Sequence, residues 1–437
     1  MRARGLLVTL LVAVALLPAG GPVGSDEPGV FSQTLPNGML VLGRERPSSE
    51  VAAIDIAVRG GSRDEEPETV GAAHFMEHMY FQGTPIRPSA RDIDREITSR
   101  GGWLNGHTGW ESVNFQAVVP SADFDLALRV VSDQLVNSLF EAPKIDKERR
   151  VVLEELNRRL SSPSDQLEDL FARTILEGHP AENLPIGNRE TLARATRDVL
   201  VAFRDTYFVA NNMVLAVVGN LPHEAVFARV GAAFADMRTG PRPASHPAPP
   251  PTARARTVEG VTPAQQAWLA AGVPAPGYDN ADRYAMDVLA AVLGEAGRRL
   301  PTEIVEHRGL ASDVHVAYTR LTDTGFWKVS AAAPADNVQP LLEIVREQIR
   351  QVREAPLADA DLDKAKAYLH GSARLSLESS TGQAQRLADG AALGYYEPLE
   401  VYLERIMATS PADVNAVANK YLDPDALTVV ILRPQAP

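Results

Sequence analysis

At 437 residues the chain is too long for one ordinary core, so two or three domains are expected. Its 45% hydrophobic and 23% charged residues describe a globular protein and exclude global disorder. A formal net charge of −13 disfavours nucleic acid and anionic membranes as partners, and with no cysteine the fold relies on its core rather than on disulfides.

The chain opens with Arg2 and Arg4, an apolar stretch from Leu6 to Leu17, and then Pro18, Ala19 and Gly20. That layout predicts a cleavable signal peptide over residues 1–24, the mature chain starting between Gly20 and Asp26. The apolar stretch is short for a bilayer span, so a periplasmic or secreted protein is expected, free of the membrane once the signal is cut. Alternating segments "GMLVLGRER" and "VAAIDIAVRGGS" predict strands, helices follow, and "NNMVLAVVGN" reads as a buried strand. A proline-rich stretch, residues 238–256, then predicts an extended linker. Beyond it the order recurs, from "AQQAWLAAGVP" through "YAMDVLAAVLG" and "GFWKVSAAAP" to "ALTVVILRP". The expectation is an α+β chain of two homologous domains, 25–237 and 257–437, each a mostly antiparallel sheet with helices packed on one face.

The chemistry concentrates in "GAAHFMEHMYFQGTP", residues 71–85. A helix over "TVGAAHFMEHMYFQ" places His74, Glu77 and His78 within an arc of about 100°, so two imidazoles one turn apart can hold one metal ion from the same side. Zinc suits imidazole nitrogen and carboxylate oxygen, with a position left for water, and Glu77 beside it could take a proton from that water. The order is H-x-x-E-H.

A third ligand is sought on "APKIDKERRVVLEELNRRLSSP", residues 142–163. Its core face carries Ile145, Val152, Leu156 and Leu160; Glu155 sits at the edge of that face, and Glu154 points nearly opposite. Glu155 is therefore the expected ligand, and Glu148, seven residues earlier on the same stripe, the carboxylate that orients one.

These residues resemble the pitrilysin/insulinase zinc peptidases, in particular the two-domain type that includes bacterial and mitochondrial processing peptidases. "HFMEHMYFQGT" is close to that family's most distinctive segment, and "ERRVVLEE" looks like its E-R-x-x-x-x-x-E, whose second Glu ligates zinc. The likeness spans nearly the whole mature chain, more loosely in the second half. It implies an endopeptidase with one Zn2+ per chain that cuts peptides or unfolded segments inside a closed chamber, with Glu77 as general base. It also implies that "GGWLNGHT" is an edge strand to which substrate adds, with Asn105 holding substrate backbone. His107 is unmatched and reads as an ordinary histidine. The family's substrate-binding arginine is matched by Arg299 in "RRL", while Ser312 stands where its tyrosine would be. That departure predicts a heterodimer with a homologous chain supplying the arginine/tyrosine pair; a homodimer is the alternative, and Tyr318 could compensate. A non-catalytic scaffold or binding subunit is the competing function.

Overall fold

The computed structural model describes residues 27–243, 248–295 and 298–435. The predicted signal peptide lies outside the described residues, as does part of the predicted linker. In that linker the described residues up to 255 carry no helix or strand.

Two sheets organise the chain. The first joins β1 (Val30–Thr34), β2 (Leu40–Glu45), β3 (Val51–Arg59), β4 (Trp103–Thr108), β5 (Ser112–Pro120) and β6 (Met213–Gly219) in the order β1-β2-β6-β3-β5-β4. The second joins β7 (Arg256–Thr262), β8 (Ala267–Ala275), β9 (Val314–Arg320), β10 (Gly325–Ala333) and β11 (Thr428–Pro434) in the order β7-β11-β8-β10-β9. Without β1 the two orders superimpose strand for strand. In each, one parallel pair, β2 with β6 and β7 with β11, sits beside antiparallel neighbours. The fold is α+β, with a repeated five-stranded unit.

Each sheet carries its own half's helices on one face, as expected, and a helix from the other half covers the second face. Along β3, Ile54, Ile56 and Val58 join the core beneath the first half's own helices, whereas Ala53 and Ala57 face the other way. There they meet the helix Ser380–Leu393 from the second half, through Ala384, Leu387, Ala388 and Ala391 at helical spacing. The reverse exchange also occurs. The first half's helix Pro163–Ile175 lays Leu167, Phe171 and Ile175 against Ala270, Val430 and Leu432 of the second sheet. Burial on two faces is why β3 and β6 read as nearly unbroken apolar runs. Each large side chain buried in these crossings contributes roughly 1.5–3 kcal/mol.

One polar cluster lies beneath the second-half crossing helix. Asn114 Nδ2 donates to Asp55 Oδ1 at 3.0 Å and to Asp389 Oδ1 at 2.7 Å, and Gln116 Nε2 donates to Asp55 Oδ2 at 2.6 Å. Burial and the charge of Asp389 push the Asp55 carboxyl up to about 7, and burial also raises Asp389. An unfolded aspartate ionises near about 4, so between about pH 4 and 7 the folded chain holds a proton that the unfolded chain has released. Stability therefore falls as pH rises through that window. Between about pH 5 and 8 the loss is on the order of 2 kcal/mol, read as a falling melting temperature, and Asp389→Asn should make it shallower while burial keeps part of it. An unchanged pH slope in that variant would refute the coupling.

Candidate metal centre

The helix that carries the motif, Ala72–Tyr80, starts later than the sequence pattern predicts. Gly71 precedes it with φ 95°, a left-handed conformation that stops the helix from extending backward. The helix buries Phe75, Met76, Met79 and Tyr80 in the first core and turns His74, Glu77 and His78 toward a second helix, Ala142–Ser161. That second helix is anchored by Ile145, Val152 and Leu156; Leu160, assigned from the pattern to the same face, is 45% exposed because the helix is ending there. Glu154 is exposed, and Glu155 stands at the edge of the buried stripe.

The His74 and His78 rings lie 4.7 Å apart, edge to face. Their Nε2 atoms converge on one oxygen, Glu155 Oε2, at 3.7 and 3.5 Å. The three donors all lie within 4.8 Å of one another. Such spacings are long for hydrogen bonds, yet ligands bound at about 2.0–2.1 Å around a tetrahedral ion stand about 3.3 Å apart. Two imidazole nitrogens and a carboxylate oxygen at this separation fit zinc. Burial, together with the proximity of His78, lowers His74 to about 4, keeping its imidazole neutral as a ligand must be. Burial opposes charge on His78, but Glu148 and Glu155 outweigh it and raise it to about 9. Those carboxylates favour positive charge at this place, which a bound cation would take over from the proton.

Glu148 is buried, with Oε2 3.3 Å from His78 Nδ1, the ring nitrogen that faces away from Glu155. It can fix that ring's orientation and tautomer. Glu77 is not one of the three converging donors. Thr108 Oγ1 donates to Glu77 Oε2 at 2.6 Å, and burial raises the Glu77 carboxyl against that bond. Strand β4 passes so close that a Cβ at Gly106 would lie 2.5 Å from Glu77 Oε1. The strand thus hydrogen-bonds one oxygen of Glu77 and packs against the other, which carries no hydrogen bond among the described residues, and Glu77 lines the cavity beside the two histidines.

That cavity encloses about 550 Å³, and its walls include His107, Trp110, Arg159, Asp169 and Ile186 from the first half with Thr319 and Phe326 from the second. Asn105 is exposed on β4 and does not line it. Arg299 does not line it either: its guanidinium donates to Asp361 Oδ2 at 2.9 Å. Tyr318 gives its hydroxyl to the carbonyl of Pro276. His107, set aside in the sequence reading, belongs to the wall, and no local pattern in the sequence marked it.

Residues 40–187 match the model of the insulinase family, peptidase family M16, and residues 194–369 match that of the peptidase M16 inactive domain. An uncharacterized zinc protease of Streptomyces coelicolor is 34% identical over 89% of this chain and 86% of its own length. This chain belongs to the M16 peptidase family. An uncharacterized zinc protease of Mycobacterium leprae is 33% identical, with 90% of each chain covered. A probable mitochondrial-processing peptidase subunit beta of Arabidopsis thaliana is 28% identical over 89% of this chain and 75% of that protein. Among solved structures, a protease from Helicobacter pylori aligns with TM-score 0.86 and 26% identity over 93% of this chain and all of that one. The M16 inactive-domain match has a counterpart in the residues: the helix after β8, Arg283–Leu293, contains no histidine.

Proposed function

We propose that this M16 chain is a zinc metalloendopeptidase acting outside the cytoplasm on peptides or unfolded segments. The observation that carries the reading is the convergence of His74, His78 and Glu155 at ligand spacing with Glu77 beside them. Zinc held there would supply Lewis acidity toward the scissile carbonyl and the attacking water. Glu77 takes the water's proton at Oε1, the oxygen that Thr108 leaves free, and passes it to the departing amine nitrogen. Glu148 keeps the His78 ring in place throughout. Strand β4 is the last strand of its sheet, so its outer edge can pair with a substrate backbone, giving affinity that tolerates many sequences. Exposed Asn105 lies on that strand and is assigned to the same backbone contact. With Ser312 in place of a tyrosine, a homologous partner chain is proposed to complete the chamber's substrate contacts.

The test uses the purified mature chain: its zinc content, its mass in solution, and cleavage of a flexible quenched peptide with and without a chelator. One zinc is expected in the lone chain, with chelator-sensitive cleavage appearing once the homologous partner is added. Cleavage by the chain alone as a homodimer would remove the need for a different partner, and absence of stoichiometric zinc would sink the peptidase reading.

A further inference from the structure

The motif helix has no capping side chain of its own, because its N-cap residue is Gly71. Its first amides are nevertheless satisfied. Glu65, buried in the loop after β3, accepts from Gly71 N through Oε2 at 2.7 Å and from Ala73 N through Oε1 at 2.7 Å. Both oxygens of one carboxylate thus grip the turn that ends in His74. The grip is itself anchored: Asn183 Nδ2 donates to the Glu65 carbonyl at 3.4 Å and Ser62 Oγ to the Asn183 carbonyl at 2.7 Å. On the other side Thr191 Oγ1 donates to the Val70 carbonyl at 2.5 Å. Gly187 lies so close that a Cβ there would meet Gly71 Cα at 2.7 Å.

We propose that Glu65 is a positioning residue for the metal centre, fixing the start and rotation of the motif helix so that His74 and His78 face Glu155 before any metal arrives. It touches neither substrate nor metal; it acts through the helix, since displacing that first turn moves His74 relative to Glu155 on its separate helix. The inference rests on the metal-centre reading, and the two can fail separately. If that reading fails, the wild-type chain lacks stoichiometric zinc. If only this inference fails, the wild-type chain keeps its zinc and Glu65 variants keep the same affinity.

Glu65→Gln retains the shape and one acceptor oxygen but turns an amide donor against one of the two N–H groups. Its zinc dissociation constant, from chelator competition, should rise about 10- to 100-fold, as when groups that orient metal ligands are removed. The absorption bands of the cobalt-substituted variant should shift, and kcat should fall while KM changes little. A variant with wild-type zinc affinity and cobalt spectrum, altered only in melting temperature, would reduce Glu65 to a stabilising cap and overturn the proposal. Should the variant fold poorly, the unaltered chain decides. Amide exchange at Gly71–Ala73 should remain slow after zinc is stripped, whereas fast exchange there would show that the metal, not Glu65, sets the helix.

Discussion

Replacing Glu77 with glutamine is expected to lower turnover by about 10²- to 10⁴-fold, the usual weight of a general acid–base group, while leaving one zinc bound per chain. The separation follows from geometry. His74, His78 and Glu155 converge without Glu77, so the exchange should leave metal affinity near wild type. Glutamine also preserves the local packing, because its carbonyl oxygen can accept the Thr108 hydroxyl that now bonds Glu77 at 2.6 Å. What it loses is the capacity to take a proton at the oxygen that Thr108 does not bond. Steady-state kinetics on a quenched peptide, paired with metal analysis, is the measurement. Wild-type turnover in the variant would remove Glu77 from the chemistry and favour the scaffold reading.

The second large effect is on stability. Arg63, in the loop after β3, reaches the β9–β10 turn of the second half, donating through Nη1 and Nη2 to both oxygens of Asp323 at 2.9 and 2.7 Å. It also pairs with Glu111 at 2.7 Å, and Glu111 accepts the backbone N–H of Thr322 at 3.0 Å. The side chains of Arg63, Glu111 and Asp323 are 7%, 9% and 12% exposed. Burial works against charge on Asp323, yet His179 and Arg63 hold its carboxyl well below the ordinary range. Arg63→Ala would take the guanidinium away from two buried carboxylates, which keep only weaker partners, an imbalance that typically costs about 3–5 kcal/mol. Denaturant unfolding should show that loss, and a double-mutant cycle with Asp323→Ala should return a strong coupling. Additive effects in the cycle would mean that the two halves are not joined through this pair.

The site was more legible in the sequence than its surroundings, for a physical reason. His74, Glu77 and His78 are local, one turn of one helix, and the angular argument that set Glu155 apart from Glu154 needs only the apolar stripe of its own helix. The repeated order of strands and helices likewise follows from local patterning. Contacts between distant segments leave no such trace. The alanines of β3 do not announce that a helix near residue 390 will cover them, and the spacing of Asp55, Asn114 and Asp389 has no periodicity to detect. Glu65 stands in an acidic loop, "RDEEPET", whose composition reads as solvated surface until the fold turns that carboxylate inward. The cavity wall was opaque for the same reason, since Thr319 and Phe326 join it only when the halves meet.

The exchange of helices bears on how such a chain can be made. During synthesis the first sheet emerges with one apolar face complete and the other bare, because Ala384, Leu387, Ala388 and Ala391 are translated only after the whole first half. Until then the valines and alanines of β3 and β6 are an adhesive surface, open to other nascent chains or to a chaperone. Neither half covers both faces of its own sheet in this arrangement. A truncated chain ending at the proline-rich stretch should therefore aggregate, whereas the two halves produced together could find each other and assemble without a covalent link.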